Sequence, residues 1–149
     1  MQLLSITISI LFTILISCQT PMNKTFQAHR LITFLIATVW LINGLFCKVL
    51  NLVPRHQEIV ARILGDTHAG LLTRLIGISE ILMAIWIFSR IRSRLNAVFQ
   101  ILIVAVMNSI EFAIAPDLLL WGKLNAVFAF LFIILVYFNE FRLNKHLVL

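Results

Sequence analysis

"VWLINGLFCKVLNLVPRHQEIVARILG", residues 39–65, begins as hydrocarbon and ends as a charged amphipathic segment. Its first half completes an apolar run over 31–50, about the 20 residues that one membrane-spanning helix needs. Inside that run stand an amide, a glycine, a thiol and an ammonium: Asn43, Gly44, Cys47 and Lys48. Intramembrane groups of this kind are costly and turn toward the interior of a bundle or a cavity. The second half changes character. Ile59, Val60, Ile63 and Leu64 share one helical face, while Arg55, Glu58 and Arg62 share the other. Pro54 suits a first helical turn and Gly65 an exit, so a short helix is expected over 54–64. It should lie on the bilayer surface or cap the bundle, with Glu58 and Arg62 paired across one turn.

The same two rhythms organise the rest of the chain. Further apolar runs at 70–89, 96–115 and 124–141 are each long enough to span and each end in charge or turn residues. The 149 residues are 61% hydrophobic and only 12% charged, with mean hydropathy +1.03. A soluble domain carries about twice that charge. The expected fold is therefore an all-α membrane protein: a four-transmembrane-helix bundle with a short amphipathic helix between helices 1 and 2.

A fifth apolar stretch, "MQLLSITISILFTILISC", opens the chain. Its "LISC" at 15–18 has the form of a lipoprotein cleavage site, but a chain cleaved there would begin outside the cell. The basic loop "RIRSR" would then fall on the wrong face. Residues 1–21 are expected to be an additional span, a signal-like segment, or an extension ahead of a start at Met22. Residues 22–149 form one expected membrane domain.

Net charge is +6, and its placement decides its meaning. Lys24, Arg30, Arg90, Arg92, Arg94, Arg142 and Lys145 mark one end of a four-span bundle. Lys48, Arg55, Arg62 and Lys123 mark the other, with Arg74 just inside. The excess at the first end predicts a cytoplasmic location for both termini of the bundle. The basic residues flank spans and suit anionic headgroups rather than nucleic acid.

Depth and helical phase locate the polar residues. Thr73, Gly77, Glu80 and Ala84 fall on one side of the second span, a small-residue face around a carboxylate. Asn108 and Glu111 share a face of the third, with Gln100 in phase as the main polar residue expected in the inner half. Asn43, Lys48, Arg74, Glu80, Asn108 and Glu111 are the candidate lining of a polar pocket in the outer half, with Asn125 at the outer start of the last span. Matching depth, Lys48 or Arg74 is the expected partner of Glu111. The cluster serves either as interhelix hydrogen-bond glue or as a ligand pocket or proton path open to the outside.

Other motifs carry less. His56 with Glu58, and Asp66 with His68, are thin material for a metal site, since there is no Cys–Cys pair and no HExxH. Two cysteines form no CxxC, and Gly77-Ile78-Ser79 lacks the strand–turn–helix setting of a nucleophile elbow. No resident cofactor is evident and no catalytic residue is assigned.

Several stretches together resemble the DoxX-like family of small four-helix membrane proteins. They are "VWLINGLFCKVL" at 39–50, the connecting "PRHQEIVARILG", "RLIGISEILMAIW" at 74–86 with its Gly-x-x-Glu, and "APDLLLWGKLNAVF" leading into the last helix. Ala84 stands where another glycine often follows that element. The resemblance implies a bacterial cytoplasmic-membrane bundle and a role as an accessory or scaffold subunit without catalysis of its own. Relatives in the family include membrane subunits associated with thiosulfate:quinone oxidation and with oxidative-stress complexes. It thus brings in a quinone as ligand, and a soluble or membrane redox subunit or a second copy as partner. A quinone-linked oxidoreductase component and a small oligomeric transporter or channel are the alternatives.

Overall fold

The computed structural model describes residues 22–118 and 124–144. Stretch 1–21, with all three readings of it, lies outside the described residues, as do Trp121, Lys123 and Lys145. Helix α1 runs over Met22–Ile42 and continues as a wider π-helical segment, Asn43–Val49. The short α2 is Arg55–Leu64. A 3₁₀ turn at Asp66–His68 leads into α3, Ala69–Ser89. Then come α4, Ser93–Ile114, a 3₁₀ turn at Pro116–Leu118, and α5, Leu124–Tyr137, which ends in a second π-helical segment, Phe138–Leu143. No strand occurs among the described residues.

Among the described residues four helices are long and apolar enough to cross a membrane: Lys24–Val49, Asp66–Ser89, Ser93–Ile114 and Leu124–Leu143. They alternate in direction, so the start of α1 and the end of α5 share one end of the bundle with the α3–α4 loop. That end is called the arginine-loop end, after Arg90, Arg92 and Arg94. The opposite end carries α2 and is called the lid end. Leu71, Leu75, Ile78, Leu82 and Ile85 form an exposed stripe along α3, and Leu102, Val106 and Ile110 do so on α4. Such faces are stable against lipid tails, where they contact the bilayer.

α2 behaves as its pattern demands. Pro54 stands at its N-cap and Gly65 leaves it with φ +94°, a conformation few L-residues adopt. Ile59 and Val60 are buried against α3, while Leu64, expected on the same face, is exposed. The expected Glu58–Arg62 pair is not made. Arg62 instead bonds Asp117 and ties the lid to the segment between α4 and α5. A partner on another element closes the structure more directly than one already held on the same helix.

Within the bundle, α1 packs most closely on α3, and α4 on α5. The apolar core joins the two pairs through Ile32, Ile36, Ala37, Val39 and Trp40 of α1, Met83, Ala84 and Ile87 of α3, Ala97 of α4, and Phe132, Leu135 and Val136 of α5. All of these lie in the middle of the bundle or toward the arginine-loop end. Asn96, Ala97 and Gln100 are the buried residues of α4, all in its first two turns. Its remainder, toward the lid, packs on α5 and is only partly buried, with Ile101, Ile103 and Val104 against the core.

Candidate functional site

The site is built by two glycines. A Cβ on Gly44 would stand 2.5 Å from the Gly77 carbonyl oxygen and 2.9 Å from Glu80 Cβ. A Cβ on Gly77 would stand 2.7 Å from the Gly44 carbonyl and 2.9 Å from Lys48 Cβ. Only hydrogen fits at either position, so α1 and α3 touch backbone to backbone there. The π-helical turn opens at this contact, with Leu50 N–H bonded to Leu45 O at 2.9 Å across five residues. Such a turn inserts an extra residue into a helix and re-aims the side chains beyond it. Lys48 is carried onto Glu80.

Lys48 Nζ bonds Glu80 Oε1, and both side chains are almost fully buried. Glu80 Oε2 has no hydrogen-bond partner. A buried carboxylate oxygen has room for two acceptor contacts and is costly to leave bare. The free oxygen belongs to a side chain that lines a cavity of about 90 Å³, where one water needs roughly 10–15 Å³. The polar wall is Asn43, Lys48, His56, Glu80, Asn108, Glu111 and Asn125; the apolar floor includes Trp40, Val104, Met107, Ala129 and Phe132. Half-exposed Asn43, Asn108 and Glu111 mark its mouth. Asn125 Nδ2 donates to Asn108 Oδ1 at 3.0 Å, which leaves the Asn108 amide N–H groups free to face the space.

His56 reaches this wall from α2, outside the membrane-spanning segments. Burial, then the positive charges of Lys48 and Arg55, push its pKa down to about 3. It is a neutral hydrogen-bonding group across the physiological range. Asp117, fully exposed, is held below the usual aspartate range by its hydrogen bond from Arg62.

Five of the six residues expected to line a pocket do so: Asn43, Lys48, Glu80, Asn108 and Glu111. Arg74 does not. It is exposed on α3, away from the Thr73–Gly77–Glu80 face that is buried. The expected Lys48–Glu111 or Arg74–Glu111 pair is replaced by Lys48–Glu80. Depth alone suggested the former; the glycine contact, which depth does not report, selects the latter. His56 was read from the sequence only as a weak metal ligand, and its charge-free placement at the wall had no signal in the residues around it. Among the described residues no group of three or more His, Cys, Asp or Glu side chains could hold a metal ion.

The arginine-loop half is more polar than expected, where Gln100 was to be the main polar residue. Trp40 Nε1 donates to Gln100 Oε1 at 2.9 Å, Gln100 Nε2 to Asn96 Oδ1 at 2.6 Å, and Asn96 Nδ2 to Met83 Sδ at 3.3 Å. Nearer the end, buried His29 bonds Asn139 Oδ1 through Nδ1 at 2.9 Å, and Asn139 Nδ2 donates to Thr33 at 3.0 Å. Ser93 and Asn144 both donate to Glu140. Asn139 and Glu140 fall at the end of the last apolar run, 124–141, and carry no assigned role in the sequence. The second π-helical segment turns both of them inward.

A multi-pass α-helical membrane bundle with a polar cavity roofed by an amphipathic helix is the class that this geometry defines. Within that class the chain belongs to the DoxX-like family, whose model matches residues 37–138, more than half of it. No curated protein and no solved structure matches the chain.

Proposed function

We propose that this DoxX-like protein is a non-catalytic subunit of the bacterial cytoplasmic membrane whose lid-end cavity, facing outward, holds the headgroup of a quinone or quinol for a partner redox subunit. The observation that carries the reading is the bare Glu80 Oε2 at a cavity that combines an apolar floor with unfilled donors and acceptors. The amides of Asn43 and Asn108 supply donors for ring carbonyls. Glu80 and Glu111 supply acceptors for ring hydroxyls. Trp40 and Phe132 supply the apolar surface on which a ring would lie. When bound, a quinone supplies two-electron chemistry; the residues named here hold and orient it and keep its polar edge from water. The volume is below the roughly 150 Å³ of an engineered cavity that takes benzene, so only the polar edge of the ring would sit inside, with the rest of the ring and its tail at the mouth. A wall with two carboxylates and one already engaged ammonium disfavours small anions. The excess of Lys and Arg at the arginine-loop end supports a cytoplasmic position for that end and for the C-terminus.

Trp40 provides the test, because quinones quench a tryptophan they touch. In a background carrying Trp86→Phe and Trp121→Phe, which leaves Trp40 as the sole tryptophan, titrating a short-chain quinone into purified protein should give saturable quenching. Glu80→Gln and Asn108→Leu should each raise the half-saturation concentration about tenfold, as expected for one charge-assisted or buried hydrogen bond. Linear, non-saturable quenching, or saturation unchanged in both variants, removes the reading.

One observation favours a small transporter as the second reading. Gln100 lines a further cavity of about 30 Å³ toward the arginine-loop end, and its partner Trp40 lines the lid-end cavity. A single hydrogen-bonded layer divides them. Proteoliposomes carrying Trp40→Ala should then pass protons or small solutes that the wild type retains.

A further inference from the structure

At the arginine-loop end, on the lipid-facing side of α1 and α3, lies an open groove of about 590 Å³. Gln27, Arg30 and Arg90 line its top, and Leu31, Phe34 and Phe88 lie along it. Phe34 and Phe88 meet edge to face with ring centroids 5.8 Å apart, so the floor is a firm aromatic surface. Depth orders the chemistry. Gln27 and Arg30 occupy one turn of α1, and Leu31 and Phe34 the next turn inward. Phe88 stands in the last turn of α3, and Arg90 caps that helix. Cation above, hydrocarbon below, is the polarity of a phospholipid reversed in charge.

Neither arginine makes an ion pair within the described residues, although Arg90 also lines the small inner cavity that Glu140 lines. Among the described residues the ion pairs are Lys48–Glu80 and Arg62–Asp117, and neither uses Arg30 or Arg90. Arg30 rests over the ring of Phe26 at 5.6 Å. Glu140, the carboxylate nearest this end of the core, is buried and takes its hydrogen bonds from Ser93 and Asn144. The loop that presents Arg90 is held in an unusual shape. Arg90 and Arg92 have φ +58° and +48°, in the left-handed region where glycine or asparagine is the ordinary choice. Trp86 Nε1 donates to Ile91 O at 2.7 Å and fixes the turn. A long cationic side chain at a position that glycine would satisfy with less strain points to use of the side chain.

We propose that this groove is a site for one anionic phospholipid, its phosphate held by Arg30 and Arg90 with Gln27, and an acyl chain lying on Leu31, Phe34 and Phe88. Guanidinium groups suit phosphate oxygens because they offer paired N–H donors in a fixed plane. The lipid bridges α1 and α3 at the end opposite their glycine contact and is separate from the cavity at the lid.

The test uses the whole protein in nanodiscs that contain phosphatidylglycerol and phosphatidylcholine in equal amounts, followed by release into mild detergent and native mass spectrometry. Wild-type protein should retain one phosphatidylglycerol preferentially. Arg30→Gln and Arg90→Asn should each lower retention about fivefold, and the double variant by more than tenfold. Asparagine keeps the left-handed conformation available at position 90, which protects the fold. Arg30→Lys with Arg90→Lys keeps the charge but loses the paired donors and should recover part of the retention, whereas Arg94→Gln should match wild type. Equal retention of phosphatidylcholine, or unaltered retention in the double variant, overturns the proposal. So does inorganic phosphate that stabilises detergent-solubilised protein as well as the lipid does, because the site would then be a free-anion site. Loss of retention in the Lys pair equal to that of the double neutral variant would assign the effect to the fold and overturn it as well.

Discussion

The two halves of the bundle are made from the same kinds of residue and finish in opposite states. Toward the arginine loop, polar side chains find one another: Trp40 with Gln100 and Asn96, Asn139 with His29 and Thr33, Glu140 with Ser93 and Asn144. Packed apolar residues fill most of what remains, leaving a cavity of about 30 Å³ and one unpartnered ring nitrogen, His29 Nε2. Toward the lid, α4 stands off from α1, and the polar groups around the gap keep unused capacity, most plainly at Glu80 Oε2. Satisfied amides specify a structure; unsatisfied ones beside a cavity specify a ligand. Breaking contacts in each half should separate the two roles.

The largest effect is expected at the lid-half ion pair. Lys48→Met strands a buried carboxylate and should destabilise the bundle by about 3–5 kcal/mol, read as the shift in denaturant midpoint in micelles. Lys48→Met combined with Glu80→Gln should recover much of that loss, because the stranded charge is gone. A double variant no better than the single one would mean that the pair is not a unit.

Gly77→Ala comes next. Its Cβ would stand 2.7 Å from backbone, which cannot yield as a side chain can. The two helices must part, at a cost of about 1–3 kcal/mol for overpacking. The Lys48–Glu80 bond should weaken with them, so the quenching test on Trp40 should change as well. In the other half, Gln100→Leu orphans the Trp40 indole N–H and the Asn96 carbonyl. It should cost about 1–3 kcal/mol and disturb the ligand site too, because Trp40 lines the lid-end cavity. Asn139→Leu, whose partners His29 and Thr33 lie outside that cavity, should leave ligand affinity at the lid within about twofold. An equal loss of affinity from Asn139→Leu and Glu80→Gln would erase the distinction between the halves.

Which parts of this were legible follows from what each depends on. The four spans, the lid helix and the inward face Thr73–Gly77–Glu80–Ala84 rest on local hydropathy and phase, and they stand as read. The Lys48–Glu80 pair did not, because it depends on a π-helical turn whose cause is tertiary. Gly44 can be seen in the sequence, but not that its backbone meets Gly77. The first span begins at Lys24 rather than near 31. Gln27, His29 and Arg30 look like a polar lead-in, yet His29 is wholly buried and paired with a residue 110 positions away. Asn139 and Glu140, inside the last apolar run, give no local sign of the partners they find.

The smallest effects lie in the lid itself, and pH separates its two parts. His56 keeps a folded-state pKa of about 3, below the ordinary histidine value of about 6.5. The unfolded chain therefore takes up the proton first. Stability from this group is complete above about pH 6.5 and declines as pH falls toward 3. His56→Gln should flatten that slope. Asp117 also has a lowered pKa, so its contribution is present above the ordinary aspartate range and fades only under stronger acid. The Arg62–Asp117 contact is solvent-exposed on both sides, and such pairs contribute little to stability. Arg62→Gln should leave the unfolding midpoint near wild type while raising hydrogen exchange in Arg55–Leu64, since it frees the lid from the α4–α5 connection. If exchange there is unchanged, the lid is held by Ile59 and Val60 alone, and the ion pair does not help to close the cavity.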